Sequence, residues 1–121
     1  MAITFKQTTD TQPAFCCTPI TSGRLSAEAA QQLTDDLAIL AHPIRLQILD
    51  LLGRSDGDVC VCDLEAALPV KQPTVSHHLR LLREAGLIDC ERRGLWAYYF
   101  VRREAVAALR QRVAAQLGVL A

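Results

Sequence analysis

Beyond residue 25, apolar and polar positions follow a helical period except over one stretch. Leu33, Leu37, Ile39 and Leu40 give one side of the stretch before Pro43 an apolar character; Ser26 is placed to cap one helix there and Thr34 a second. Pro43 suits the first turn of a further helix, in which Ile44, Ile48, Leu51 and Leu52 keep helical spacing and Gly53 ends the run. Residues 58–68 predict one short helix with an acidic cap at Asp58, because Val61, Leu64 and Leu68 recur at steps of three and four. Pro69 closes it. Residues 71–85 predict another helix, with Pro73 in its first turn, Val75, Leu79 and Leu82 turned inward and Gly86 as its stop. The period then shifts to that of strands: residues 87–92 and 95–101 are rich in Ile, Val, Trp, Tyr and Phe around an Arg93-Gly94 turn, which predicts a β-hairpin. From residue 103 an alanine-rich helix carries Val106, Leu109, Val113 and Leu117 as an apolar stripe that so short a chain is too small to bury by itself, a stripe suited to a second subunit.

Helix, tight turn, helix and hairpin, in that order, are the parts of a winged helix-turn-helix, so the expected fold is mainly α (α+β) with one hairpin wing. The predicted division is a flexible N-terminal arm over residues 1–25, punctuated by Pro13, Pro19 and Gly23, and a folded DNA-binding and dimerisation domain over 26–121. With 121 residues, half of them hydrophobic and 21% charged, the chain has room for one domain and not for two. It contains no apolar run of about 18 residues, and its first twenty residues do not read as a secretion signal, so the expected setting is the cytoplasm, with no membrane partner.

Charge changes the picture only when it is sorted by position. The total is zero, thirteen basic against thirteen acidic side chains, but residues 71–103 hold seven Lys/Arg against three Asp/Glu, while residues 1–70 hold four against nine. The basic excess therefore coincides with the second helix of the pair and the hairpin, the parts that would meet a polyanion. With its apolar residues inward, that helix offers Lys71 at its start and then Gln72, Thr74, Ser76, His77 and Arg80 to base edges or phosphates of double-stranded DNA, and the hairpin tip adds Arg92 and Arg93. Adjacent helical positions point about 100° apart, so His77 is expected to face the groove and His78 to lie in the helix-helix contact. Trp96, Tyr98 and Tyr99 are expected to pack within the hairpin or an interface.

The five cysteines stand as Cys16-Cys17, Cys60-Val61-Cys62 and Cys90. Such clusters are poor partners for structural disulfides and suggest metal or redox chemistry. Thiolates choose soft, thiophilic ions, and a nearby helix N-terminus favours the thiolate form. Residues two apart on a regular helix lie about 200° around it, so Cys60 and Cys62 meet at one ion only if the helix start is distorted or if Cys16 and Cys17 contribute. A structural zinc site normally has two to four residues between paired ligands, a spacing neither pair has. A thiol enzyme with Arg six positions after its cysteine is excluded, since positions 22, 23, 66, 68 and 96 hold Ser, Gly, Ala, Leu and Trp. No catalysis is expected. Reversible oxidation of Cys16-Cys17 or Cys60-Cys62 is the alternative from another functional class.

From Leu37 to about Val101 the chain resembles the ArsR/SmtB family of metal-responsive repressors. The resemblance is carried by His42-Pro43-Ile44-Arg45, Cys60-Val61-Cys62-Asp63-Leu64, Gln72-Pro73-Thr74-Val75-Ser76-His77-His78-Leu79 and Leu82-Arg83-Glu84-Ala85-Gly86-Leu87-Ile88. Cys-Val-Cys-Asp-Leu is the most specific of these and is similar to the arsenite-sensing subgroup. That implies a homodimer that reads an imperfect palindromic operator and dissociates when As(III) or Sb(III) binds Cys60 and Cys62. Members of that subgroup often carry a third cysteine where this chain has Glu65, so Cys16 or Cys17 is expected to supply the missing sulfur. Cadmium and lead sensors of the family join arm cysteines to the helix pair, so a Cd(II)/Pb(II) repressor using Cys16, Cys17, Cys60 and Cys62 is the alternative. The zinc or nickel site that other members hold between their last helices uses Asp and His, and residues 103–121 have neither.

Overall fold

A computed structural model describes residues 23–120. Five helices and a small sheet follow one another as α1 (Ala27–Leu40), α2 (Pro43–Arg54), β1 (Val59–Cys60), α3 (Val61–Ala67), α4 (Gln72–Glu84), β2 (Ile88–Arg93), β3 (Trp96–Val101) and α5 (Arg103–Val119). The sheet is antiparallel, in the order β1-β3-β2. Ile48, Leu52, Leu64, Val75, Leu79, Leu82 and Ile88 are fully buried, so the core lies where α2, α3 and α4 close over the base of the hairpin.

Local chemistry sets the element ends. Ser26 caps α1, its hydroxyl accepting from the Ala29 amide at 3.0 Å. The two helices expected before Pro43 are one, because nothing between Ala27 and Leu40 breaks the backbone ladder. Thr34 accordingly turns its hydroxyl back to donate to the Ala30 carbonyl at 2.8 Å instead of capping. In α2 it is His42 that caps, Nδ1 accepting from the Ile44 amide at 3.1 Å, and the helix runs through Gly53 to Arg54. The end of α4 is a Schellman turn: Gly86 takes φ 80°, its amide donates to the Arg83 carbonyl, and the Leu87 amide reaches the Leu82 carbonyl. Committing Leu87 to that turn delays the strand to Ile88. The hairpin loop is Gly94-Leu95, one residue later than the sequence suggests, since Arg93 pairs with Trp96 and Gly94 adopts φ 64°.

The last helix lies against the first through one ion pair. Asp36 is almost fully buried, and Arg112 donates to both of its carboxylate oxygens at 3.1 Å while Gln32 donates at 3.2 Å. The hydrogen bonds from Arg112 hold the Asp36 carboxyl below its ordinary value of 3.8, against the opposing effect of burial. A carboxylate whose folded pKa is depressed contributes stability that is complete above the unfolded value and is lost as pH falls through the folded one. Asp36→Asn should therefore cost about 1–2 kcal/mol near neutral pH, modest because Arg112 is half-exposed and finds water when released. Urea unfolding at pH 7 and at pH 3 checks this: the gap between wild type and variant should narrow in acid, and a gap that is equal at both pH values would show that the ionised pair contributes nothing.

Candidate nucleic-acid interface and thiol site

Helix α4 separates its residues into two faces. Val75, Leu79 and Leu82 are at most 1% exposed, whereas Gln72, Thr74, Ser76, His77 and Arg80 are all exposed. Gln72, Ser76 and Arg80 stand one turn apart in a row. Lys71 is the helix cap position but makes no side-chain cap bond, so its ammonium remains exposed at the mouth of the helix. The Arg80 Nη2 lies 3.1 Å from His77 Nδ1. A guanidinium only donates, so Nδ1 is the acceptor and the His77 proton sits on Nε2, where it can be offered to a base or phosphate.

His78 is buried, as the 100° rule predicts, and its ring lies against that of His42, tilted by 39° with centroids 4.1 Å apart. Its Nδ1 has no partner among the described residues. Burial first, and then the neighbouring His42, Arg45 and His77, push its pKa down.

The wing arginines differ from each other. Arg92 is exposed and has no ion pair among the described residues. Arg93 is held on three sides: Nε donates to Glu91 at 3.1 Å, Nη2 donates to Asp58, and the guanidinium lies 4.6 Å from the centre of the Tyr98 ring. Asp58 is thus not the cap of α3, as its position suggests; its carboxylate is turned to the wing. Sequence reasoning also missed β1, a strand of two residues that lacks the length to show a period.

That strand resolves the geometry of the thiols. Cys60 ends β1 in an extended conformation, φ −62° and ψ 139°, and serves as the cap position of α3, while Cys62 lies in the first turn. The 200° separation of a regular helix therefore does not apply, and the two free sulfurs come within 2.7 Å of each other. Cys62 is exposed and Cys60 half-buried. The Cys62 pKa is raised, first by its hydrogen bond with Cys60, then by burial and by repulsion from Cys60 and Asp63, so the helix terminus does not produce the lowered thiol expected there. Among the described residues no third His, Cys, Asp or Glu joins the pair in a metal-holding group. Cys16 and Cys17 lie outside the described residues. Cys90 pairs across the sheet with Tyr99, one register position from the Cys60–Tyr98 pair, so the two cysteines belong to opposite faces of the sheet.

A polar helix over a buried helix pair, followed by a hairpin with two arginines at its tip, defines a winged helix-turn-helix protein that binds DNA. Residues 42–89 match the family model of bacterial regulatory proteins of the arsR family. The transcriptional repressor SmtB homolog of Synechocystis sp. is 39% identical over 93 residues, covering 77% of this chain and 69% of that protein. The arsenical resistance operon repressor of Escherichia coli (strain K12) is 49% identical over 61 residues, covering 50% of this chain and 51% of that protein. A crystal structure of a possible transcriptional regulator for arsenical resistance superposes with a TM-score of 0.61 at 33% identity, covering 67% of this chain and 82% of that one. The chain belongs to the ArsR/SmtB family of transcriptional repressors and is a regulator, not an enzyme. No helix of the described residues is long and apolar enough to cross a membrane.

Proposed function

We propose that this repressor binds its operator as a homodimer and releases it when trivalent arsenic or antimony is taken up by Cys60, Cys62 and at least one of Cys16 and Cys17. The observation that carries this reading is the free thiol pair converging at the β1–α3 junction. Soft trivalent arsenic exchanges its hydroxides for sulfur, each exchange releasing water, and two thiols so close can engage one ion with little rearrangement. Two sulfurs leave a third position for the arm. The arsenical resistance operon repressor of Escherichia coli, a relative, supports this inducer class.

The dimer reading rests on α1 and α5. Leu37, Leu117 and Leu120 are 40%, 47% and 59% exposed, and a groove of about 320 Å³ lined by Leu40, Leu49, Leu109, Val113 and Leu117 runs beside them. An apolar face of this kind fits a second copy, and two copies place two α4 helices on the half-sites of an imperfect palindrome. Lys71, Gln72, Thr74, Ser76, His77 and Arg80 then meet the major groove, and Arg92, with the donors of Arg93 that Glu91 and Asp58 leave free, the flanking backbone.

Fluorescence anisotropy of labelled operator, titrated with protein and then with arsenite, tests the reading. The complex should form at a stoichiometry of two chains per operator and lose affinity by about 5- to 150-fold at saturating arsenite, the range of ordinary allosteric coupling. Unchanged anisotropy with saturated thiols would exclude arsenic as inducer. Cadmium and lead, titrated in parallel, address the four-sulfur alternative: their complexes should show absorption bands of four-thiolate coordination only if Cys16, Cys17, Cys60 and Cys62 all bind.

A further inference from the structure

The thiol pair and the wing are parts of one small sheet. Cys60 pairs with Tyr98 on β3, and Tyr98 pairs with Glu91 on β2, so all three share one face. Arg93 lies over that same face: it takes Glu91, stacks on the ring of Tyr98 and reaches across β3 to Asp58, the residue just before β1. The Asp58 side chain is 27% exposed. Arg93 itself stands at the loop, opposite Trp96, and immediately follows Arg92. The side chain that fixes the wing tip is therefore anchored to the two-residue strand that carries the first thiol. Only Val59 separates Asp58 from Cys60 along the backbone.

We propose that Asp58 and Arg93 form a clasp that transmits occupancy of the Cys60–Cys62 thiols to the wing, Asp58 acting as a positioning residue for the DNA-contacting tip. The clasp rests on the thiol-inducer reading above. Closed, it holds the wing tip in the pose that meets DNA. An ion bound to both sulfurs must part the 2.7 Å contact between Cys60 and Cys62, and that shift of Cys60 pulls Asp58 off Arg93, so the tip loses its anchor. A surface ion pair stabilises a fold very little, so its role here lies in geometry: it is the side-chain link that ties the outer edge strand β1 to the loop across the central strand.

The chain supplies its own reporter, since Trp96 is its sole tryptophan and is paired with Arg93 at the tip. The test uses full-length protein with three measurements: thiol titration with arsenite, Trp96 emission, and operator anisotropy. In wild type, arsenite binding should change Trp96 emission and lower operator affinity together. Asp58→Asn should take up arsenite at least as tightly as wild type, yet its arsenite-dependent affinity loss should shrink to within about twofold and its emission change should vanish. Asp58→Glu, which keeps the carboxylate, should recover both. An Asp58→Asn protein that retains the full affinity loss and emission change overturns the clasp while leaving the inducer reading in place. Failure of arsenite to titrate the wild-type thiols overturns the inducer reading, and the clasp with it.

Discussion

Cys60→Ser and Cys62→Ser should each retain operator binding and lose its sensitivity to arsenite. Serine keeps the size of cysteine but is a hard, weakly acidic donor, so each change removes one soft ligand from a set in which the described residues supply only two. The affinity of the thiol site should drop by at least about a hundredfold per ligand, the upper end of what disturbing a metal's surroundings costs, because here the ligand itself is lost. The operator's response to arsenite, about 5- to 150-fold in wild type, should fall to nothing measurable over the same titration. Unfolding is not a competing explanation for Cys60→Ser. Cys60 occupies the cap position of α3 without making a cap bond, and serine is among the best residues there, so the variant should melt at or slightly above the wild-type temperature, gaining up to about 0.5–1 kcal/mol. The checks are anisotropy with and without arsenite and a thermal melt of each variant. Release of operator by either variant at the wild-type arsenite midpoint would remove that cysteine from the site.

How much of this was legible in the sequence depended on whether the physics was local. Pro43, Pro73 and Gly86 announce their helix ends because each is constrained by its own backbone, and the structure places all three as expected. The inward face of α4 was readable for the same reason, as was the burial of His78 beside an exposed His77. What the sequence did not disclose depends on partners distant along the chain. Thr34 has the chemistry of a cap and also of a hydroxyl that bonds back within a helix; the continuity of α1 decides, and that continuity is supported by packing on α5, where Asp36 meets a partner 76 positions away. Asp58 reads as a helix cap until Arg93, 35 positions later, takes its carboxylate. Strand β1 exists only because β3 offers it an edge, and that edge is what bends the start of α3 enough for Cys60 and Cys62 to converge. The chemistry of the thiols was visible; the conformation that brings them together was not. The proposed class of inducer rests on sulfur's softness, and the proposed number of sulfurs on Cys16 and Cys17, outside the described residues.

Neighbouring positions on α4 should give opposite kinds of variant. Leu79 is 1% exposed and sits in the core with Ile48, Val75 and Leu82, so Leu79→Ala removes buried apolar atoms and leaves a cavity. The expected cost is about 2–5 kcal/mol. Against a total stability of about 5–15 kcal/mol for a domain of this size, that is enough to populate unfolded chains at 37 °C and to lower operator occupancy through loss of folded protein. Arg80 is exposed, and its ion pair with Glu84 at 3.5 Å is of the i,i+4 surface kind, worth only about 0.3–0.5 kcal/mol. Arg80→Ala should therefore unfold in urea almost as wild type does. If Arg80 makes a bidentate contact to a base edge, the same change should weaken specific operator binding by about 1–3 kcal/mol, roughly five- to 150-fold, and reduce discrimination against unrelated DNA. The decisive comparison is operator affinity corrected for the folded fraction measured by urea titration. Leu79→Ala should return to near wild-type affinity after that correction and Arg80→Ala should not. Should Arg80→Ala bind operator and unrelated DNA as wild type does, the exposed face of α4 is not what reads the sequence, and the basic excess of residues 71–103 acts only through the phosphates.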